Sequence, residues 1–196
     1  MAKITFIGDS IISYMPYIFK GTIGDDEDEV KYFGVENVGV GTYMNYCWPK
    51  VDKENVDVYI LLIGINNIYR PDCDYDERES LEDCIEKIKQ FINQIIDKKA
   101  SKLLVQSIYP AKCREKINSI KIVNKRLEIY CAEKDIEYLD LYSLLIDDEE
   151  LFDRRYSDDR IHPNELGYNV IASEINKKLK KGLSKKLKYS TNLNSN

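Results

Sequence analysis

Histidine occurs once in this chain, at position 162. A metal site built from several imidazoles is therefore excluded, and any imidazole acid–base chemistry has a single possible location. Cysteine is sparse as well. Cys47, Cys73, Cys84, Cys113 and Cys131 are an odd number with no Cys-x-x-Cys pair. That spacing excludes a zinc ribbon and a self-contained disulfide framework, and it favours reduced thiols in a cytoplasmic setting. The chain also lacks a Walker glycine motif and a dinucleotide Gly-x-Gly-x-x-Gly, so neither a metal nor a cofactor is expected.

Long apolar runs are missing too. The longest, residues 58–63, is strand-sized and far short of the ~18 residues a membrane-crossing helix needs. Met1-Ala2-Lys3 leads directly into Ile4-Thr5-Phe6-Ile7-Gly8, too short an apolar stretch for a signal peptide. There is no basic excess: 29 Lys and Arg stand against 34 Asp and Glu, a net charge of −5. Nucleic-acid binding, which wants a basic face, is disfavoured.

What remains is a globular composition, with 43% hydrophobic and 32% charged residues in a 196-residue chain. One domain is expected at this length, and it is long enough for a full core. The pattern alternates strands with helices. Strands are expected at residues 3–7, 34–38, 56–63, 102–107 and 136–141; the third is apolar on both faces, as a central parallel strand should be. Helices are expected at 80–99, where apolar residues from Leu81 to Ile96 recur every three or four positions, and along the stripe Ile117, Ile120, Val123, Leu127 and Tyr130. A third runs over 163–179, with Pro163 suited to a first helical turn. Such alternation implies right-handed crossovers, hence a three-layer α/β/α sandwich around a five-stranded parallel sheet. Residues 24–29 read as a solvated acidic loop, without the spacing of a calcium loop. A domain is expected over 1–181, followed at 182–196 by a Lys-, Ser- and Asn-rich tail with the composition of a disordered segment.

In parallel sheets, sites gather at the carboxyl ends of the strands. Those ends carry Gly8-Asp9-Ser10, Gly39-Val40-Gly41, Gly64-Ile65-Asn66-Asn67 and, after the fifth strand, Asp158-Asp159-Arg160-Ile161-His162-Pro163. A hydroxyl, an imidazole, carboxylates and amide donors are the parts of an acyl-transfer site. Either Asp158 or Asp159 could orient the imidazole. No Gly-x-Ser-x-Gly elbow occurs, which disfavours an ordinary α/β-hydrolase.

Four blocks in this order resemble the SGNH hydrolases, the GDSL lipase/acylhydrolase family. They are Gly8-Asp9-Ser10-Ile11, the glycines around Gly41, Gly64-Ile65-Asn66-Asn67, and Asp159-Arg160-Ile161-His162. The likeness spans residues 4 to about 180. It implies a flavodoxin-like fold, Ser10 as nucleophile, and His162 and Asp159 as its triad partners. It implies an oxyanion hole from Ser10, Gly41 and Asn66, with Gly39 as the other candidate glycine. The chain departs from the family's pattern at Ile11, where leucine is usual, at Thr42, where many relatives have glycine, and at Asn67, where aspartate is commoner. The implied substrate is a small-molecule acyl ester. Fifteen tyrosines against five phenylalanines, with Tyr14, Tyr17, Tyr43, Trp48, Tyr69, Tyr109 and Tyr156 near strand ends, suit a polar acceptor such as an acetylated carbohydrate. A lysophospholipid or thioester substrate, acyl transfer to an alcohol, and a non-catalytic binding relative are the alternatives.

Overall fold

The computed structural model describes residues 1–51, 53–70 and 80–192, with side chains through residue 180. Five parallel strands form one sheet in the order β2-β1-β3-β4-β5. They are β1 (Lys3–Gly8), β2 (Glu29–Gly34), β3 (Val58–Leu62), β4 (Lys102–Gln106) and β5 (Glu137–Leu139). The helices are α1 (Ser10–Ile18), α2 (Val40–Thr42), α3 (Ile65–Tyr69), α4 (Leu81–Ile96), α5 (Ile117–Glu133), α6 (Tyr142–Leu145) and α7 (Glu165–Asn192). Helix α1 contacts α7, while α4 contacts α2, α3 and α5, so the sheet carries a helical layer on each face. The core is continuous across all three layers. Phe6, Ile7, Ile60, Leu61, Leu104 and Val105 of the sheet are 0–1% exposed.

The apolar stripe expected on α4 is buried from Cys84 to Ile95. Ser80 caps it, exchanging hydrogen bonds with Asp83 in a capping box. The stripe on α5 buries Ile117, Ile120, Val123 and Leu127. Cys47, Cys84, Cys113 and Cys131 are not disulfide-bonded; Cys73 lies outside the described residues.

Several expectations need correction. The second strand is Glu29–Gly34, not 34–38. It is an edge strand whose six residues are all half-buried, so it carries charged Glu29 and Lys31 and shows no apolar run. Residues 35–38 turn instead, with Asn37 in the left-handed region at φ 55°. Helix α1 leaves no clear periodic signal in the sequence, because it is short and contains Pro16. Pro163 precedes α7 and does not open it; Asn164 takes the cap position, its side chain accepting from the Gly167 N–H at 3.0 Å. The backbone of α7 is helical from Glu165 through Asn192. Among the described residues no helix is long and apolar enough to cross a membrane.

Candidate active site

Strand order places the site. The sheet runs outward from β1 in two directions, to β2 on one side and to β3, β4 and β5 on the other. A crevice opens beyond the carboxyl ends of β1 and β3, where the order reverses. Ser10 follows β1 and opens α1; Asn66 follows β3 and sits in α3.

Ser10 is held at a helix start. The Asp9 side chain caps α1 by accepting the Ile11 N–H at 3.1 Å. Tyr168 of α7 donates its hydroxyl to the Ile11 carbonyl at 2.6 Å, tying α1 to the helix that follows His162. Ser10 itself is 8% exposed. Its Oγ lies 3.0 Å from His162 Nε2 across 152 residues of sequence.

The Asp159–His162 loop folds on itself. Asp159 Oδ1 accepts the Ile161 and His162 backbone N–H groups, each at 2.8 Å. Asp159 Oδ2 meets His162 Nδ1 at 2.7 Å. A carboxylate can only accept, so it keeps the ring proton on Nδ1 and leaves Nε2 to accept from Ser10. Burial alone would raise the Asp159 carboxyl. The hydrogen bonds from the His162 backbone and ring and from Ile161 outweigh it and hold it at about 2. Asp158, the other carboxylate considered, is exposed, and its carbonyl accepts from Arg154.

Three further groups surround this loop, and of them only Tyr14 was among the aromatics expected near the strand ends. Ser157 is fully buried and lies 2.7 Å from the His162 carbonyl and 3.2 Å from Asp159 Oδ1. Arg160 sits in the left-handed region at φ 58° and pairs with Asp147 at 3.1 Å, fastening the loop to the 146–152 segment. Tyr14 lays its ring against His162, with centroids 4.9 Å apart. A hydrogen bond to the Glu36 carboxylate raises the Tyr14 phenol above its ordinary range.

The amide-donor blocks clasp each other. Gly64, at φ 119° and within 3 Å of Ile88 were it to carry a Cβ, makes the turn from β3 into α3. Asn66 Nδ2 then donates to the Val38 carbonyl at 2.9 Å. Asn67, 4% exposed, accepts the Val40 N–H at 3.0 Å. An amide nitrogen carries two hydrogens, and the bond to Val38 uses one. Gly39 caps α2 and Gly41 lies within it, both on the segment that the two asparagines grip.

The aromatic rim is smaller than the sequence implied. Tyr43, Trp48 and Tyr109 are 0–4% exposed and belong to the core. Tyr43 and Trp48 pack around Phe91, and Tyr109 packs edge-on to Phe152. Tyr14, Tyr69 and Tyr156 are half-buried, and Tyr17 is 77% exposed. Among the described residues no group of three or more His, Cys, Asp or Glu side chains is placed to hold a metal ion.

Solved structures share this architecture. A candidate acylhydrolase of Bacteroides fragilis aligns over 92% of this chain and 88% of its own, at 18% identity and a TM-score of 0.76. A GDSL-like lipase of Bacteroides thetaiotaomicron aligns over 91% and 88%, at 16% identity and a TM-score of 0.75. A catalytic mutant of an acetylxylan esterase from Geobacillus stearothermophilus aligns over 88% and 91%, at 15% identity and a TM-score of 0.65. At such identities the likeness is one of fold. No curated protein sequence matches the chain. The sequence pattern of one family does match, over residues 6–170, a span from β1 into α7 that takes in all four blocks. By that match the chain belongs to the GDSL-like lipase/acylhydrolase family.

Proposed function

We propose that this chain is a serine esterase that removes a short acyl group, acetyl first of all, from a carbohydrate-like acceptor. The observation that carries the reading is the unbroken chain from Ser10 Oγ through His162 Nε2 and Nδ1 to Asp159 Oδ2. A serine hydroxyl is a weak nucleophile until a base takes its proton. His162 is that base, and Asp159 stabilises the imidazolium that forms. Ser10 Oγ attacks the ester carbonyl, and the carbonyl oxygen becomes an oxyanion. The Ser10 N–H, the Gly41 N–H and the second Asn66 Nδ2 hydrogen stabilise it; each such donor is worth about 10²–10³ in turnover. His162 then protonates the departing alcohol, leaving an acyl-serine. Water, activated by the same imidazole, releases the acid. An odd number of cysteines with no Cys-x-x-Cys pair suits work in a reducing compartment such as the cytoplasm.

Site exposure supports the short-chain reading. The side chains of Asp159 and His162 remain 53% and 27% exposed. Cavities of about 370 and 430 Å³ lie elsewhere, beside β4 and β5 and between α1 and α7, and hold none of the triad. An acyl chain laid on an open rim gains little, since a CH₂ is worth about 0.8 kcal/mol only when fully buried. The likeness in fold to an acetylxylan esterase and the Tyr14 ring beside His162 point to a sugar-borne acetyl group. A panel of p-nitrophenyl esters tests this. kcat/KM should peak at acetyl or propionyl and fall roughly tenfold by octanoyl, about 1.4 kcal/mol of transition-state stabilisation. A profile rising to octanoyl would favour a lysophospholipid or thioester substrate instead.

A further inference from the structure

Asp9 stands immediately before the nucleophile and caps α1, and neither the triad nor the oxyanion hole uses its carboxyl. It is 0% exposed. Oδ1 accepts the Ile11 N–H, while Oδ2 is buried with no hydrogen-bond partner. The titratable groups facing it are three tyrosines from three different elements: Tyr43 after α2, Tyr109 after β4 and Tyr168 of α7. Their hydroxyls donate elsewhere, to the Phe33 carbonyl, the Gln106 side chain and the Ile11 carbonyl. A carboxylate so placed would be a buried anion without a cation, which costs far more than a neutral acid.

We propose that Asp9 is a positioning residue that must stay protonated for the reaction: as a neutral acid it caps α1 while leaving the amino end of that helix free for the oxyanion. The inference rests on the esterase reading. Helix α1 begins at Ser10, and its positive end points at the place where the tetrahedral intermediate would carry its charge. One helix end cannot serve two anions equally. A carboxylate at Asp9, one residue from the Ser10 N–H, would draw on the same donors and repel the oxyanion through a dry interior. A neutral carboxyl still accepts the Ile11 N–H but carries no charge to repel the oxyanion. Burial pushes the Asp9 carboxyl up to about 7, against the hydrogen bonds from Ile11 and its own backbone.

The sign of the effect on stability is fixed by the same shift. The folded-state value lies above the ordinary 3.8. The unfolded chain therefore releases this proton first, and stability declines as pH rises from about 4 to about 7, then levels off.

The test follows p-nitrophenyl acetate turnover from pH 5 to 9 in the wild type and in Asp9→Asn, alongside the infrared band of a protonated carboxyl. Asparagine keeps the Ile11 acceptor and cannot ionise. The variant should hold activity within about threefold at pH 6. The wild type should lose at least tenfold in kcat on the alkaline side, at the pH where its protonated-carboxyl band disappears, and the variant should lack both that loss and that band. Asp9→Ala should lose activity that Asp9→Asn retains. An alkaline loss shared by wild type and Asp9→Asn, or no protonated-carboxyl band in the wild type at pH 6, overturns the proposal. Should Asp9→Asn fail to fold, the wild type alone decides it, by coincidence or mismatch of the band's disappearance with the kcat limb. Absence of turnover at every pH would fell the esterase reading itself, whereas turnover without the matching limb fells only this proposal.

Discussion

Asn66 and Asn67 are neighbours in sequence with opposite tasks. Asn66 gives one amide hydrogen to the Val38 carbonyl, and in the proposed mechanism the other goes to the oxyanion. Asn67 presents an acceptor to the Val40 N–H from a buried position. Aspartate at 66 would replace the donor with a negative oxygen facing the oxyanion, and turnover should fall at least a hundredfold. Aspartate at 67 still accepts from Val40, so turnover should stay within about tenfold. Steady-state kinetics on the two variants, with a check on folding by circular dichroism, measures this difference; equal losses would mean that the two roles are misassigned. The same acceptor role gives a physical reason why the family can use aspartate where this chain has Asn67. At this scale the candidate site was largely legible in the sequence, because Ser10, Asn66, Asp159 and His162 sit in short blocks beside glycine turns. Ser157 and Arg160 were not. A buried serine bonding to a carbonyl and an arginine pairing with a residue 13 positions earlier depend on the tertiary path of the chain.

Among the elements, the pairing of α1 with β2 matters most for the nucleophile. Gly34, the last residue of β2, lies against α1 so closely that a Cβ there would fall 2.0 Å from the Ser13 N and 2.5 Å from its Cα. Backbone atoms cannot be moved aside like a side chain tip. Gly34→Ala should therefore push α1 outward and cost about 1–3 kcal/mol of stability. Ser10 would move with the helix, so kcat should fall by more than KM rises. Thermal melting and kinetics read the two effects; an unchanged melting temperature with unchanged kcat would contradict the close approach. These two elements are also the ones that sequence patterning placed worst. Strand β2 is half-buried at every position, and Pro16 interrupts the pattern of α1. Elements with a fully buried face, such as β3 and α4, were legible because burial forces an apolar run or an apolar stripe. Burial also misled in one respect: Tyr43, Trp48 and Tyr109 looked like rim aromatics, but they are core residues, and the Tyr43 and Tyr109 hydroxyls donate inside, to the Phe33 carbonyl and the Gln106 side chain.

At the scale of the whole molecule, the sheet order does the assembling. The reversal at β1 and β3 brings Ser10 and Asn66 to one crevice. Helix α7, anchored on α1 through Tyr168 and Ile11, then delivers the loop that carries His162. The strand–helix alternation made this topology legible, although the alternation alone does not fix which strand is central. The central claim is that Ser10 is the nucleophile and that His162 activates it. The most direct measurement is the site and rate of phosphonylation by a fluorophosphonate serine probe, in which serine Oγ displaces fluoride from phosphorus, read by peptide mass spectrometry on the wild type and on His162→Ala. Modification should fall on Ser10 and be slowed at least a hundredfold in His162→Ala, which leaves the hydroxyl in place but removes its base. Modification of a different serine, or an equal rate at Ser10 in the two proteins, would contradict the claim.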